Sequence, residues 1–294
     1  MRIAILDTSK MFGNRSINKD LNGGYGTHDY FGNSILAKMF SILRGRSVNI
    51  PVLACVYIYT ILKNKGHSVE YFYEKIPKQY FDLFILYGSI VDYNKENYVA
   101  GYLRKRNKKS KVGFIGTFPA VMPDLYSNAH FIINGEPEAY FMYQFDSIEN
   151  LNGMINVNSW MDMDALPSPD YSIFPFRSYK YSPILNKTPF LTIQSSRGCP
   201  YSCGYYCTYP TSQGKKVRYR DPNLLIEDIR FMKKKFSMQS LLFRDPIFGI
   251  DKKYSIKLSE KLLENDIKIN WGIETRADLL DLDNLKIMKK AGLS

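Results

Sequence analysis

Histidine, tryptophan and cysteine are scarce in this chain, and long apolar runs are absent. Three His, two Trp and four Cys stand among 294 residues. No stretch approaches the roughly 18–20 apolar residues of a membrane helix. The N-terminal MRIAILDTSK has neither a long apolar core nor a cleavage site, so no signal peptide is expected. Four cysteines are too few, and too clustered, for the disulfide scaffold of a small secreted domain. The first apolar strand runs into DTSKMFG rather than G-x-G-x-x-G, which excludes a nicotinamide-type dinucleotide site. A cytoplasmic protein is the expectation that remains. Its composition, 45% hydrophobic and 23% charged, excludes disorder as the dominant state.

The length suggests about two domains. Forty Lys and Arg against 28 Asp and Glu give a net charge of +12. The basic residues are scattered through RNKKSK, KKVRYR, FMKKKF and MKKAG, mostly on faces of predicted helices. Solvated helix faces account for them as readily as nucleic acid does, since charge excess alone licenses only non-specific affinity.

Residues 1–150 alternate short apolar strands with amphipathic segments. RIAIL reads as a buried strand, and a Gly- and Asn-rich loop containing DLNGGYGTHDYFGNS follows. A helix over 51–65 closes at Gly66. Then come SVEYFY, FDLFILYGSIV, the helical NYVAGYLRKRNKK, KVGFIGTFPA and HFIINGEPE. Repeated strand–helix–strand order predicts an α/β, doubly wound (Rossmann-like) domain with a parallel sheet. Ligands of such a sheet sit at the carboxyl ends of its strands. There the loops Gly88-Ser89, Gly116-Thr117 and Gly135-Glu136 are expected. Residues 151–188 hold Pro167, Pro169, Pro175 and Pro183, too many for a helix interior, and read as a surface-packed linker. Residues 189–294 read as three successive strand–helix units, the pattern of a full or partial (β/α) barrel. The helix N-cap is expected at Asp221, with Pro222 in the first position.

Cys199, Cys203 and Cys207 lie within nine residues in the loop after the first of these strands. In a barrel that loop projects over the carboxyl face. Cys55, within an apolar helix, reads as a core thiol. Three clustered thiols suit a soft metal. Zinc wants a fourth protein ligand, an iron–sulfur cube with three Cys leaves one iron open, and an inert thiol-rich turn is the third reading.

SSRGCPYSCGYYCTYP resembles the cluster loop of radical SAM enzymes, particularly those with an N-terminal cobalamin-binding domain. QGKKVRYRDPNLLIEDI, FRDPIFGID and WGIETRADLL are similar to segments following that group's first three strands. LNGGYGT, GTFPA and INGEPE are similar to its cobalamin domain. The resemblance implies a [4Fe–4S] cluster on the three Cys, with S-adenosylmethionine chelating the open iron. It also implies reductive cleavage to a 5′-deoxyadenosyl radical by way of an external electron donor. Tyr206 falls at the family's aromatic position near the adenine. Asp245 is implied to meet the methionine ammonium, and Glu274 and Arg276 the ribose hydroxyls and a carboxylate. Gly116, Thr117 and Gly135 would let a corrin approach the backbone. No D-x-H-x-x-G signature is present, so cobalamin without a lower ligand from His28, His67 or His130 is implied. One departure stands out. The family spacing C-x₃-C-x₂-C is here C-x₃-C-x₃-C, with Gly204 able to absorb the extra residue as a bulge.

The function this implies is a cobalamin-dependent radical SAM enzyme acting on a small-molecule substrate, in many relatives a methyltransferase on unactivated carbon or phosphinate phosphorus. An RNA-modifying radical SAM protein and a non-catalytic iron–sulfur or zinc module are the alternatives. Three strand–helix units are about half of that family's barrel. The chain is therefore expected to be incomplete as a catalyst, through a truncated reading frame, a partner chain supplying the rest, or a shorter fold. The third strand is expected to have an exposed edge.

Overall fold

The structure is a computed structural model and describes residues 1–13, 32–203 and 207–294. These fall into two compact units, one within Met1–Asp29, Ala54–Met161 and Cys203–Gln213, the other within Tyr30–Leu53, Asp162–Ser202 and Gly214–Ser294.

The first unit is built on β1 (Arg2–Leu6), β2 (Ser68–Phe72), β3 (Leu83–Tyr87), β4 (Lys111–Ile115), β5 (Phe131–Asn134) and β6 (Gly153–Asn156). All five pairings are parallel and the order is β2-β1-β3-β4-β5-β6. The order reverses beside β1, the hallmark of a doubly wound sheet, so the expected α/β parallel architecture is present. RIAIL, LFILY and KVGFI are continuous apolar runs because these strands are buried on both faces. Side chains alternate. Ala4, Leu6, Phe84, Leu86, Val112 and Phe114 share one buried cluster with Val99, Ala100 and Leu103 of the helix Tyr93–Arg106, while Ile3, Ile5 and Ile85 are equally buried on the other side.

The helix Leu53–Asn64 ends as its sequence predicts. Gly66 takes φ +82°, its N–H donates to the Lys63 carbonyl (2.9 Å) and the His67 N–H to the Leu62 carbonyl (3.1 Å). Cys55 on this helix is buried in the core. The expected loop DLNGGYGTHDYFGNS lies mostly outside the described residues. After it the chain forms a helix over Ile35–Ser47, not among the expected elements, in the second unit, with Ile35, Leu36, Met39, Phe40, Ile42 and Leu43 exposed.

The second unit carries β7 (Phe190–Ile193), β8 (Ser240–Phe243) and β9 (Asn270–Gly272), parallel and in the order β9-β8-β7. The helices α1 (Pro222–Phe236), α2 (Lys252–Glu264) and α3 (Leu282–Lys290) follow them in turn. Asp221 is the N-cap of α1, accepting the Asn223 N–H at 2.7 Å, with Pro222 first in the helix. The outer edge of β9 is not bare. Gly292, at φ +106°, turns the chain out of α3, Leu293 bridges Trp271 in parallel, and the Ser294 N–H donates to the Trp271 carbonyl at 2.9 Å. The stretch read as a linker contributes Met163, Leu166, Tyr171, Phe174 and Leu185 to this unit's core, and the Tyr171 hydroxyl donates to the Thr192 carbonyl (2.7 Å). Prolines exclude a helix there but not burial. Among the described residues no helix is long and apolar enough to cross a membrane.

Gly113 in β4 is glycine for want of space. A Cβ there would lie 2.3 Å from the Phe131 ring, itself buried in β5. Gly113→Ala is expected to lower the unfolding free energy by about 1–3 kcal/mol through overpacking, seen as a reduced urea midpoint at unchanged slope.

Candidate functional site

β7 runs directly into Gln194-Ser195-Ser196-Arg197-Gly198-Cys199, and the residues before the first cysteine are buried. What holds them is a carboxylate. Asp245, at the end of β8, accepts the Ser195 N–H (2.7 Å), the Ser195 hydroxyl (2.5 Å) and the Ser196 hydroxyl (2.7 Å). Three donors use most of the lone-pair sites a carboxylate offers. Burial still dominates its titration and pushes the Asp245 carboxyl up to about 6, against those hydrogen bonds. The side chain expected to meet a methionine ammonium is thus engaged in bracing the turn that precedes Cys199.

A second anchor is backbone. Ser196 and Arg197 pair antiparallel with Tyr219 and Arg218, and the Arg220 N–H donates to the Ser195 carbonyl (2.9 Å). Gly198 sits at φ +95°, where a Cβ would lie 2.1 Å from the Lys216 carbonyl oxygen. Only glycine fits both the left-handed backbone and the close approach. The Cys199 N–H then donates to the Gly214 carbonyl (3.0 Å), leaving Cys199 buried. Tyr254 of α2 adds a further tie. Its hydroxyl donates to the Arg220 carbonyl (2.7 Å), and burial together with the Asp245 charge pushes its ionisation upward.

Further polar residues line the carboxyl ends of these strands. The buried Arg244 guanidinium donates to Glu274 Oε2, and the Gln194 side-chain amide donates to the Arg244 carbonyl (3.1 Å). Glu274 is partly open. Arg276 donates from Nε and Nη2 to the two oxygens of Asp278, at 2.9 Å each.

None of the four cysteines is in a disulfide, and Cys203 and Cys207 are half-buried. Among the described residues no three His, Cys, Asp or Glu side chains converge as a metal site. Tyr206 and Gly204, and with Gly204 the expected bulge, lie outside the described residues, as do His28 and LNGGYGT.

In the first unit Gly116 and Thr117 follow β4, and Gly135 follows β5, all at carboxyl ends of neighbouring strands. Gly116 and Gly135 have φ of +112° and +116°. A Cβ on Gly116 would lie 2.7 Å from the Gly88 carbonyl oxygen, and one on Gly135 3.0 Å from Val157 Cβ. Backbone geometry thus demands glycine at both before any ligand is considered. His67 and His130 each stand one residue before a strand, β2 and β5, at the amino ends. His130 Nδ1 accepts the Val112 N–H (3.0 Å).

Sequence reasoning missed a buried network at the β3 end. Fully buried Glu96 accepts the Ser89 N–H (2.9 Å), the Ser89 hydroxyl (2.7 Å) and the Tyr126 hydroxyl (2.8 Å). Ser195, Ser196 and Arg244 were missed too. The signal for the first two was the run of small hydroxyls between an apolar strand and the cysteines.

No family model matches the chain. It is 27% identical over 131 residues to an uncharacterized methyltransferase of Pyrococcus horikoshii, covering 45% of this chain and 28% of that protein. To the anaerobic magnesium-protoporphyrin IX monomethyl ester cyclase of Rubrivivax gelatinosus it is 29% identical over 134 residues, 45% of this chain and 23% of that one. To the bacteriochlorophyllide d C-8(2)-methyltransferase of Chlorobaculum tepidum it is 26% identical over 225 residues, 71% of this chain and 49% of that protein. The chain spans less than half the length of each of these relatives. Its homologues are thus methyltransferases and a cyclase, in keeping with the cobalamin-binding radical SAM family that the cysteine loop resembles.

The Asp245 carboxyl yields a pH signature. Its folded value of about 6 lies above the ordinary 3.8. The folded state therefore binds the proton more tightly, and the resulting stability is full below pH 3.8 and lost as pH rises through 6. Relative to Asp245→Asn, wild-type unfolding free energy is expected to fall by about 3 kcal/mol between pH 4 and 7 and to stay level above. Urea titrations across that range check it, and a difference that does not vary with pH would refute it.

Proposed function

We propose that this chain forms the cobalamin-binding and cluster-binding part of a radical SAM enzyme, with methyl transfer to an unactivated centre of a small molecule as its reaction. The observation that carries the reading is the mounting of the cysteine loop. It follows the first of three consecutive parallel strands, and its entry is held by a buried carboxylate from the second. The donor set fits the group: Cys199, Cys203 and Cys207 are thiols outside any disulfide, and three thiolates leave one iron of a [4Fe–4S] cluster open for S-adenosylmethionine. When bound, the cluster supplies the electron that cleaves S-adenosylmethionine, and cobalamin supplies the methyl group.

The chain's own residues have distinct tasks in this reading. The three cysteines hold the cluster. Asp245 holds Ser195 and Ser196, and through them the approach to Cys199. Glu274, with Oε2 on the buried Arg244, presents its partly open carboxylate to ribose hydroxyls. Tyr206, at the family's aromatic position, would stand near the adenine. In the first unit Gly116, Thr117 and Gly135 leave the carboxyl ends of β4 and β5 free of bulk for a corrin face. His67 and His130 start from the opposite ends of their strands, which supports cobalt without a histidine from either. An external electron donor completes the requirements, and the three strands of the second unit serve as the first part of a (β/α) barrel.

Anaerobic reconstitution tests the reading. The 294-residue chain is expected to take up about four iron and four sulfide. Cys199→Ala, Cys203→Ala and Cys207→Ala are each expected to lose them, because a lost thiolate has no replacement, while Cys55→Ala retains them. Stoichiometric zinc without iron would point to a non-catalytic module. Iron loss on Cys55→Ala but not on Cys207→Ala would overturn the ligand assignment.

A further inference from the structure

Tyr201 lies midway between Cys199 and Cys203, and the guanidinium carbon of Arg276 sits 4.4 Å from the centre of its ring. Arg276 comes from beyond β9, the third strand. The Asp278 carboxylate takes both Nε and Nη2 of the same guanidinium at 2.9 Å, an exposed pair that orients its plane. A planar and weakly hydrated cation oriented over an aromatic face is a clasp, and this one closes on the cysteine loop itself.

We infer that Arg276 is a positioning residue: it holds Tyr201, and through it the chain that follows Cys199, in place. The inference deepens the proposed function and rests on its reading of the loop. It gives Arg276 a task other than binding a cofactor carboxylate, since the Nε–Nη2 edge that would grip one bidentately is already taken by Asp278.

The physical case is one of anchors. Upstream of Tyr201 the loop is tied by backbone, through the Cys199 N–H to the Gly214 carbonyl and through Gly198 pressed against Lys216. Those ties end at Cys199, four residues before Cys203. Thiols gathered onto one metal group must give up backbone freedom, and a loop whose midpoint is already fixed gives up less at that moment. The second strand thus holds the loop's entry through Asp245, and the third holds its middle through Arg276. Tyr201 needs its ring for this, not its hydroxyl.

The test uses the metal-free, fully reduced chain, so that it reads the clasp whatever the iron assay shows. Cys199 is only 5% exposed, and iodoacetamide reaches its sulfur only when the loop opens. Its alkylation rate, followed by peptide mass spectrometry, therefore reports the opening equilibrium. Arg276→Ala and Tyr201→Leu are each expected to speed it about two- to five-fold, the range that the ~0.5–1 kcal/mol of an exposed cation–π contact converts to. Tyr201→Phe, which keeps the ring, is expected to match wild type, and the Arg276→Ala, Tyr201→Leu double variant to be no faster than either single one. A merely structural loss would also lower the urea midpoint and would not be rescued by phenylalanine. Equal rates in wild type, Arg276→Ala and Tyr201→Leu would overturn the inference, as would a Tyr201→Phe rate matching that of Tyr201→Leu. Should Arg276→Ala fail to fold, the Phe and Leu variants at 201 decide alone. Failure of wild type to bind iron would overturn the proposed function and leave the clasp measured.

Discussion

One buried charge organises the second unit. The Asp245 carboxylate, at the end of the middle strand, gathers both hydroxyls of Ser195 and Ser196 and the Ser195 amide. Without it, two serines in a buried turn would leave donors unsatisfied, each at a cost of about 1–3 kcal/mol. With it, the chain leaves β7 along one path, and that path ends in Arg197-Gly198-Cys199. The arrangement is paid for in proton affinity, as burial pushes the Asp245 carboxyl up to about 6 despite its three donors. A buried carboxylate of raised proton affinity that orders the turn before a cysteine loop marks a candidate functional site.

Parallel sheets dictate much of the rest. Every βα turn of such a sheet emerges at the carboxyl ends, so residues far apart in sequence arrive on one rim. In the first unit this rim carries Gly88-Ser89, Gly116-Thr117 and Gly135. A buried carboxylate appears here also, with Glu96 holding the Ser89 turn by two hydrogen bonds and a third from Tyr126. The two units thus use one device, an acidic side chain folded inward to fix a serine turn after a strand. Gly116 and Gly135 add the positive φ values that their turns require, and Gly88 the space that Pro119 fills.

The strands and helices of both units were legible because their signals are local. RIAIL and LFILY announce burial on two faces, Asp221-Pro222 announces a helix start, and Gly66 a helix end. β6 was not legible, as Gly153–Asn156 is a short edge strand with mostly exposed side chains and no hydrophobic pattern. The Pro-rich stretch misled because proline density speaks against helices, whereas Tyr171 and Leu166 are buried through irregular backbone. The cysteines could be found by spacing alone. What Asp245, Arg244 and Arg276 touch could not, since those contacts join residues 30–75 positions apart and depend on strand order that a single sequence does not state.

The central claim is that the loop from Cys199 to Cys207 holds a four-iron cluster with one iron left open. Mössbauer spectroscopy of the chain reconstituted with ⁵⁷Fe reads the irons one class at a time. The account predicts that added S-adenosylmethionine shifts about a quarter of the iron to a distinct site and leaves the remainder unchanged. Four-iron spectra indifferent to S-adenosylmethionine, or no cluster iron at all, would contradict it.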